Sequence, residues 1–299
     1  MKGIILAGGA GTRLLPLTAC VSKQLLPIYD KPMIYYPLST LMLLGMREIL
    51  VISTPNDTPV IAEQLGNGAE LGIQLSYAVQ QKPGGLPEAF LIGEEFIGDD
   101  SVCLMLGDNL LFWSQLRQHL SPCTKLKLGA SILCCTTTEP ERFGIAEINS
   151  QGQIVSLEEK PKRPRSNQAI IGLYFYDTRV AEMTRRLEPS ARGELEITDL
   201  NRLYLQDDSL NVVRLTRGTM WIDTGTPESL LQAANFVSIV QRHQGLMVGS
   251  PEEVAYNMCY IDADSLKAIT DKKYRNSAYG LYLNELVLES QGTNVFVSA

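Results

Sequence analysis

The sequence predicts an α/β protein with a Rossmann-like, mixed and mostly parallel sheet flanked by helices, and three observations support this prediction. Short apolar segments alternate with helical segments through the first half of the chain, which favours a parallel sheet covered on both faces. A glycine cluster ends the first apolar segment. From about residue 128 the pattern changes to strands joined by short polar turns, which indicates a β extension, and capped helices follow at the C-terminal end.

The predicted elements of the first half alternate regularly. Strands are expected at residues 3–7, 48–53, 75–79 and 101–106, and helices near residues 34–44, 59–65 and 86–93. The strand segments are short apolar runs, which is typical of strands buried on both faces. Ligands of open α/β sheets bind beyond the carboxyl ends of the strands, and the glycine cluster follows such an end.

The second half is predicted to begin with strands and to end in helices. Strands are expected at residues 128–136, 146–148, 154–157, 170–176, 210–215 and 221–223, and helices at residues 180–187 and 197–206. Thr226 is expected to cap a helix that begins at Pro227 and runs to about Arg242. Residues 250–253 read Ser-Pro-Glu-Glu, which is typical of a capping box that opens a further helix.

Composition and charge exclude several classes of function. The 299 residues are 45% apolar and 20% charged, without an apolar run near 18 residues, so no transmembrane span is expected. The net charge of −7 argues against a nucleic-acid or membrane partner, because such partners call for broad basic patches. No signal peptide is expected, since only four apolar residues precede the glycine cluster.

The cysteines and histidines do not suggest a catalytic or metal centre. The six cysteines include no Cys-x-x-Cys pair and are expected to be reduced, buried thiols of a cytoplasmic protein. The two histidines, His119 and His243, lie in polar, helix-like segments and are expected at the surface. A histidine-based mechanism or a zinc site is therefore not expected.

The first candidate site is the loop after the first strand. Gly8, Gly9 and Gly11 lack a Cβ, so the backbone can adopt positive φ and present N–H groups to an anion, while Arg13 adds a cationic fork. A Walker A loop is excluded because Arg13 and Leu14 stand where its Gly-Lys pair belongs, and a dinucleotide fingerprint because Leu14 replaces its third glycine. A tight turn without a ligand remains the alternative.

Two aspartates follow apolar strands and are expected at the same sheet edge as the glycine loop. Asp108 comes directly after a predicted strand, and Asp223 ends another one much later in the chain. Two carboxylates together with phosphate oxygens and water are the ligands that Mg²⁺ prefers. A turn or a helix cap is the alternative for either aspartate alone.

Two motifs carry a resemblance to a known family. Residues 6–14 read LAGGAGTRL and residues 22–27 read SKQLLP, so a second cation, Lys23, and an amide, Gln24, follow the glycine loop. These motifs closely resemble those of the sugar-1-phosphate nucleotidylyltransferases, and within them the glucose-1-phosphate thymidylyltransferases. The resemblance extends from residue 3 to about residue 285 and weakens after about residue 245.

The resemblance implies a Mg²⁺-dependent, in-line transfer of a nucleotidyl group from dTTP to α-D-glucose 1-phosphate, which gives dTDP-glucose and pyrophosphate. It also implies a homotetramer. Residues 1–245 would form the nucleotidyltransferase unit, in which residues 1–127 bind the nucleotide and residues 128–226 bind the sugar phosphate. Residues 246–299 would form the C-terminal helical appendage.

The resemblance further implies roles for individual residues. The catalytic residues would be Arg13, Lys23, Asp108 and Lys160, and the metal ligands Asp108 and Asp223. The nucleotide would be bound by Leu6, Gly8, Gly9, Gly11, Thr12, Arg13, Gln24, Gln80 and Gly85. The sugar phosphate would be bound by Gly144, Glu159, Lys160, Gly172, Tyr174 and Arg192. In this assignment Gln80 and Gly85 recognise the base, although the neighbouring Gln81 and Pro87 depart from the residues usual in the family.

Several alternatives stay open. The same chemistry could use UTP or another sugar 1-phosphate, and a catalytically silent paralogue could bind nucleotide to regulate a partner. Relatives of this kind carry a second, regulatory nucleotide site, where this chain has Trp113 in place of a glycine and Asn257 in place of an arginine. We therefore expect feedback inhibition through that site to be weak or absent. Packing of Trp113 at a subunit contact is the alternative explanation.

Overall fold

The computed structural model describes residues 1–9 and 11–292, and for residues 290–292 it describes only the backbone. The strands are β1 Lys2–Leu6, β2 Pro27–Ile28, β3 Lys31–Pro32, β4 Glu48–Ser53, β5 Gln74–Val79, β6 Val102–Leu106, β7 Asn109–Phe112, β8 Ala130–Thr136, β9 Gly144–Ile148, β10 Ile154–Glu159, β11 Gln168–Tyr176, β12 Leu210–Arg214 and β13 Met220–Asp223. The α-helices are α1 Tyr35–Leu43, α2 Asp57–Leu65, α3 Glu88–Ile92, α4 Glu94–Ile97, α5 Leu116–Thr124, α6 Val180–Arg185, α7 Ile197–Gln206, α8 Pro227–Gln244, α9 Pro251–Asn257, α10 Ala263–Ile269 and α11 Ala278–Gly292. Short 3₁₀ helices occur at Thr12–Leu14, Lys23–Leu25, Ala69–Leu71 and Pro140–Arg142, and a π-helix at Thr270–Tyr274 continues α10.

The central sheet is mixed, with a parallel half and a largely antiparallel half. β1 lies between β4 and β6 and is parallel to both, and β5 pairs with β4 in the parallel direction. β11 pairs with β6 in the antiparallel direction and also pairs with β8 and β9. β10 extends the sheet from β9, and β12 lies parallel to β8, which completes a nine-stranded sheet. The predicted α/β fold with a β extension in its second half is confirmed.

Apolar layers cover both faces of the sheet. Successive residues of a strand point to opposite faces, so Ile5 packs with residues of α1 and α9, whereas Ile4 packs with residues of α3, α6 and α7. Both isoleucine side chains are fully buried, and each burial contributes roughly 1.5–3 kcal/mol to folding. Val254 and Ala255 of α9 belong to the first layer. The C-terminal helices therefore begin by packing into the same core that holds the sheet.

The helix predicted at residues 86–93 is replaced by two short helices. The chain turns at Gly93, between α3 and α4. A Cβ at this position would lie 3.1 Å from the side chains of Ile4 and Leu50, so the turn packs closely against the sheet. None of the helices in the described part of the chain has the length and hydropathy that a membrane span requires.

The capping box predicted at the start of α9 is only half formed. The hydroxyl of Ser250 accepts a hydrogen bond from the backbone N–H of Glu253 at 3.3 Å. The carboxyl of Glu253 hydrogen-bonds to Tyr282 instead of returning to the cap. A complete capping box occurs at Thr226, where the hydroxyl of Ser229 accepts the returning hydrogen bond. Sequence analysis found the Thr226 cap but not this partner, because serine is less typical than glutamate at that position.

Asp223 does not end a strand of the central sheet, contrary to the prediction. Its strand, β13, pairs with β7 in a separate antiparallel ribbon of two strands. The register of this ribbon places Asp223 opposite Asn109. Because β7 begins one residue after Asp108, the ribbon rather than the sheet edge brings the two aspartates together.

Trp113 fills space within its own chain. The residue is 9% exposed, and its ring stacks on that of His119 with the centroids 4.4 Å apart. It also belongs to the apolar layer that contains Leu116 and Leu120. Asn257 is exposed at the end of α9. Weak or absent feedback inhibition stays a prediction.

Candidate active site

The glycine loop and Asp108 lie side by side because the strands that precede them are neighbours. β1 and β6 pair in parallel, and the backbone N–H of Gly107 donates to the carbonyl of Leu6 at 2.9 Å. A Cβ on Gly107 would lie 3.1 Å from the Cα of Ala7, so glycine permits this close approach. The carboxyl ends of both strands therefore open at one point of the sheet edge, where ligands of such sheets bind.

Asp108 and Asp223 interact electrostatically in a largely buried environment. The backbone N–H and the hydroxyl of Thr224 donate to the carbonyl of Asp108 at 3.0 and 2.7 Å, which fixes the end of β13 against Asp108. Burial raises the pKa of the Asp223 carboxyl, and the negative charge of Asp108 raises it further. The positive charges of Lys23 and Arg13 oppose part of this increase in pKa. A bound cation would relieve the repulsion between the two carboxylates.

Two cations flank the aspartates. Lys23 is only 8% exposed, and its ammonium group forms a salt bridge with Oδ2 of Asp108. Arg13 is exposed, and its guanidinium lies against Gly225. A Cβ on Gly225 would lie 2.7 Å from a guanidinium nitrogen of Arg13 and 3.0 Å from Oδ1 of Asp223. Glycine at this position therefore lets Arg13 approach the aspartate pair.

Two predicted nucleotide-binding glutamines lie close to Gly8 of the glycine loop. The amide of Gln24 donates to the carbonyl of Gly8 at 3.4 Å, and a Cβ on Gly8 would lie 2.9 Å from the amide oxygen of Gln80. Gln80 is buried, and it donates to the carbonyl of Gly85 at 3.2 Å and to Glu88 at 2.6 Å. The structure thus brings Gln80 and Gly85 together beside the glycine loop.

A second group of charges comes from the end of β10 and the loop before α7. One carboxylate oxygen of Glu159 accepts a hydrogen bond from the hydroxyl of Thr198 at 2.5 Å. The other oxygen lies 3.6 Å from Nζ of Lys160 and 3.8 Å from a guanidinium nitrogen of Arg192. Lys160 has a positive φ of 43°, and its backbone N–H donates to the carbonyl of Phe143 at 3.1 Å. The turn after β10 and the loop before α7 thus present a carboxylate and two cations together.

A second carboxylate fixes Arg192. The guanidinium donates to both oxygens of Glu196, at 2.8 and 2.7 Å, and the hydroxyl of Ser190 donates to the same carboxylate at 2.7 Å. Burial acts to raise the pKa of Glu196, but the hydrogen bonds from Arg192 and Ser190 outweigh it, so the pKa is lowered. The hydrogen bond to Glu196 raises the pKa of the Arg192 guanidinium. Arg192 is therefore held as a cation at the site.

One cavity of about 680 Å³ collects most of the predicted residues. The predicted residues that line it are Thr12, Arg13, Gly85, Asp108, Gly144, Glu159, Lys160, Gly172, Tyr174, Arg192 and Asp223. The predicted residues that do not line it are Leu6, Gly8, Gly9, Gly11, Lys23, Gln24 and Gln80. A larger and more open groove of about 1000 Å³ lies between residues 69–72 and 256–272 and contains none of the predicted residues. The smaller cavity is the candidate active site.

The cavity also contains residues to which the sequence analysis gave no role. Asn109 directly follows Asp108 in the sequence and Trp221 precedes Asp223 by two residues, and this proximity was an available signal. Arg142 stacks its guanidinium over the ring of Phe143 at 5.4 Å, and nothing in the local sequence indicates this contact. The remaining lining residues without an assigned role are Leu86, Leu106, Ile170, Glu194, Leu195, Glu196, Ile197 and Thr198.

The donor atoms fit a hard divalent cation that protein and substrate hold jointly. Among residues 1–9 and 11–292, no group of three or more His, Cys, Asp or Glu side chains is placed to hold a metal ion. Asp108 and Asp223 supply carboxylate oxygens in a region where burial, and then the negative charge of Asp108, raise the pKa of Asp223. A small hard cation is commonly held by one or two carboxylates together with substrate phosphates and water. The two aspartates match that arrangement.

Comparison with known proteins agrees with this geometry. The family model described as nucleotidyl transferase matches residues 2–239. A glucose-1-phosphate thymidylyltransferase of Neisseria meningitidis is 53% identical to this chain, over 96% of this chain and 99% of its own length. The match therefore includes every residue of the candidate site.

Solved structures share the fold as well. A Bacillus anthracis protein crystallised with sucrose is 40% identical, with a TM-score of 0.74 over 79% of this chain and 94% of its own. A UDP-glucose pyrophosphorylase crystallised with UDP-glucose is 25% identical, with a TM-score of 0.67 over 80% of this chain and 98% of its own. The chain therefore belongs to the nucleotidyl transferase family, as a nucleotidyltransferase homologous to the glucose-1-phosphate thymidylyltransferases.

Proposed function

We propose that the protein joins dTTP and α-D-glucose 1-phosphate to form dTDP-glucose and pyrophosphate. The observation that carries this proposal is that one cavity contains both Arg13 with the Asp108–Asp223 pair and Lys160 with Arg192. Two anionic substrates need two separate groups of cations, and this cavity offers them. The names of the relatives support the choice of dTTP and glucose 1-phosphate.

In the proposed reaction, a phosphate oxygen of the sugar phosphate attacks the α-phosphorus of dTTP. A new P–O bond forms there, the bond between the α- and β-phosphates breaks, and pyrophosphate leaves with that electron pair. The attacking oxygen is already anionic, so no general base is required. Catalysis then depends on alignment of the two substrates and on neutralisation of charge.

Three cations that line the cavity and one beside it, Lys23, divide this work in the proposal. Arg13 and Lys23 act on the triphosphate, whereas Lys160 and Arg192 hold the 1-phosphate group. Asp108 and Asp223 would hold Mg²⁺, whose chemistry is to neutralise negative charge on the phosphate oxygens. The salt bridge between Lys23 and Asp108 supports a shared role for these residues.

Recognition of the base and the sugar completes the proposal. Gln80 and Gly85 recognise the thymine edge, and the hydrogen bond between them supports their action as one surface. The carboxylate of Glu159 accepts hydrogen bonds from hydroxyl groups of the glucose. The hydrogen bond from Thr198 supports a fixed orientation of this carboxylate. Gly144, Gly172 and Tyr174 line the sugar pocket in this proposal.

The organisation of the chain follows from the same proposal. Residues 1–127 bind the nucleotide, residues 128–226 bind the sugar phosphate, and the C-terminal helical appendage begins at residue 246. The predicted end of the appendage, residues 293–299, lies outside the described residues. A homotetramer and a cytoplasmic location stay predictions.

A pyrophosphate-release assay tests the proposed function. The protein is incubated with Mg²⁺, each of dTTP, UTP, dATP and dGTP, and each of several sugar 1-phosphates. We expect the highest kcat/KM with dTTP and glucose 1-phosphate. A preference for UTP or another sugar phosphate would correct the substrate assignment, and no release with any pair would indicate a catalytically silent paralogue.

A further inference from the structure

A buried amide links the predicted metal ligand Asp108 to the wall of the cavity. Asn109 is 4% exposed. Its amide oxygen accepts a hydrogen bond from the indole N–H of Trp221 at 2.6 Å and from the backbone N–H of Gly172 at 3.2 Å. Its amide nitrogen donates to Oδ1 of Asp108 at 2.9 Å. With both donors on the oxygen, the amide group has one orientation, and its N–H faces Asp108.

The carboxylate of Asp108 is therefore held from two sides. Asn109 binds Oδ1, whereas Lys23 binds Oδ2. Each contact restricts rotation of the carboxylate, so the protein itself sets the orientation of Asp108 at the cavity. Conserving such an orientation is the usual role of a residue that hydrogen-bonds to a metal ligand.

The partners of Asn109 are themselves fixed. A Cβ on Gly172 would lie 2.6 Å from the amide oxygen of Asn109, so glycine is needed for β11 to reach the amide. Trp221 pairs with Leu111 across the β7–β13 ribbon. The edge of its ring contacts the ring of Phe143, with the centroids 5.1 Å apart. Asn109 thus rests on two separate elements of the fold.

We propose that Asn109 is a positioning residue, which orients Asp108 for the metal–nucleotide complex, and that Trp221 and Gly172 lock its amide. This inference rests on the proposed function, because it requires that Asp108 acts on a metal-bound nucleotide. A purely structural role would be different: Asn109 would then only join β7 to β11 and β13. The two roles differ in their effect on the coupling between metal and nucleotide.

The coupling between Mg²⁺ binding and dTTP binding is measured by isothermal titration calorimetry. It is the dissociation constant for dTTP in EDTA divided by that in excess Mg²⁺. Asn109→Leu removes the whole network at similar volume, and Trp221→Phe removes one hydrogen bond but keeps an aromatic ring. Asn201→Leu is the matched control, because Asn201 is also a buried asparagine, bonded to Tyr176 at 2.6 Å and outside the cavity. Thermal unfolding of each variant is recorded in parallel.

A positioning role predicts that Asn109→Leu lowers the Mg²⁺ coupling ratio by about 10- to 100-fold, Trp221→Phe lowers it less, and Asn201→Leu leaves it unchanged. If Asn109→Leu does not fold, the decrease in Trp221→Phe carries the test. An unchanged ratio in both Asn109→Leu and Trp221→Phe would overturn the inference, and so would a ratio of one in the parent protein. In either case, binding of dTTP would still support the proposed function. No dTTP binding by the parent protein would overturn both.

Discussion

The two charged sides of the cavity are built in different ways. The aspartate side consists of Asp108 and Asp223, the exposed Arg13, and Lys23, which pairs with Asp108 from outside the cavity lining. Its central ion pair is shielded: Lys23 is 8% exposed and Asp108 is 20% exposed. The arginine side, which consists of Lys160 and Arg192 with their carboxylates, is open, with side-chain exposures of 48% and 46% for the two cations. One side keeps its charges in place by burial, and the other by ion pairs at the surface.

The two sides also differ in how firmly their charged groups are held in place. Strand ends and a two-stranded ribbon fix the aspartates, so their geometry is set by the core of the protein. On the arginine side, Lys160 lies 3.6 Å from Glu159, a distance that is loose enough for an anion to compete. Arg192 is held more firmly by Glu196. We infer that the aspartate side is preorganised and that the arginine side rearranges its ion pairs when the sugar phosphate binds.

The largest expected effect concerns the aspartate side. Asp108→Asn keeps the shape of the side chain but removes a hard anionic ligand, so turnover should fall by about a hundredfold or more while the fold survives. Steady-state pyrophosphate release and far-UV circular dichroism measure the two properties. Asp100→Asn, at an exposed residue that pairs with Lys2, is the control. Near-normal turnover of Asp108→Asn at limiting Mg²⁺ would contradict the assignment of Asp108 as a metal ligand.

A pair of variants tests whether the two sides serve different substrates. Arg13→Ala should raise KM for dTTP, and Lys160→Ala should raise KM for glucose 1-phosphate, each by about 10- to 100-fold, since each change removes a charged hydrogen bond. The KM of the other substrate should change much less in both variants. Lys82→Ala, at an exposed position outside the cavity, serves as the control. Equal effects of both variants on both substrates would argue against the division.

We expect a gain of stability when the repulsion between the carboxylates of Asp108 and Asp223 is removed. The raised pKa of Asp223 means that its ionised form costs stability once the pH exceeds the unfolded pKa. In EDTA at pH 7, Asp223→Asn should therefore raise the free energy of unfolding by about 1 kcal/mol. The gain should vanish near pH 3, where the carboxyl of the unfolded chain also largely retains its proton. Urea unfolding at both pH values measures this gain. A loss of stability at pH 7 would contradict the interpretation that the ionised carboxylate of Asp223 destabilises the folded protein.

A second effect on stability comes from a partly buried carboxyl outside the cavity. Burial raises the pKa of Glu253 to about 7, so the folded state keeps a proton that the unfolded state releases above its own pKa. Stability from this group is present below about pH 4.5 and is lost as the pH rises to about 7. Relative to the parent, Glu253→Gln should gain about 1–3 kcal/mol in free energy of unfolding between those pH values. A difference that does not vary with pH would show that Glu253 titrates normally.

The fold, and the position of the glycine loop beside Asp108, could be predicted from the sequence. The glycine loop and Asp108 were predictable because each directly follows a short apolar strand, and neighbouring parallel strands end at the same edge. The pairing of Asp223 with Asn109 was not predictable, since a ribbon between distant segments leaves no local periodicity. The contact of Thr198 with Glu159 and the space that Gly225 leaves for Arg13 depend on the same kind of long-range packing.

A crystal structure of the protein with dTDP-glucose and Mg²⁺ tests the central claim most directly. We expect the product to span the cavity, with its thymine at Gln80 and Gly85, its diphosphate group between Arg13 and Arg192, and its glucose at Glu159. The metal ion should lie between Asp108 and Asp223. A product bound in another cavity, or a glucose unit on the aspartate side, would contradict the assignment of the two sides.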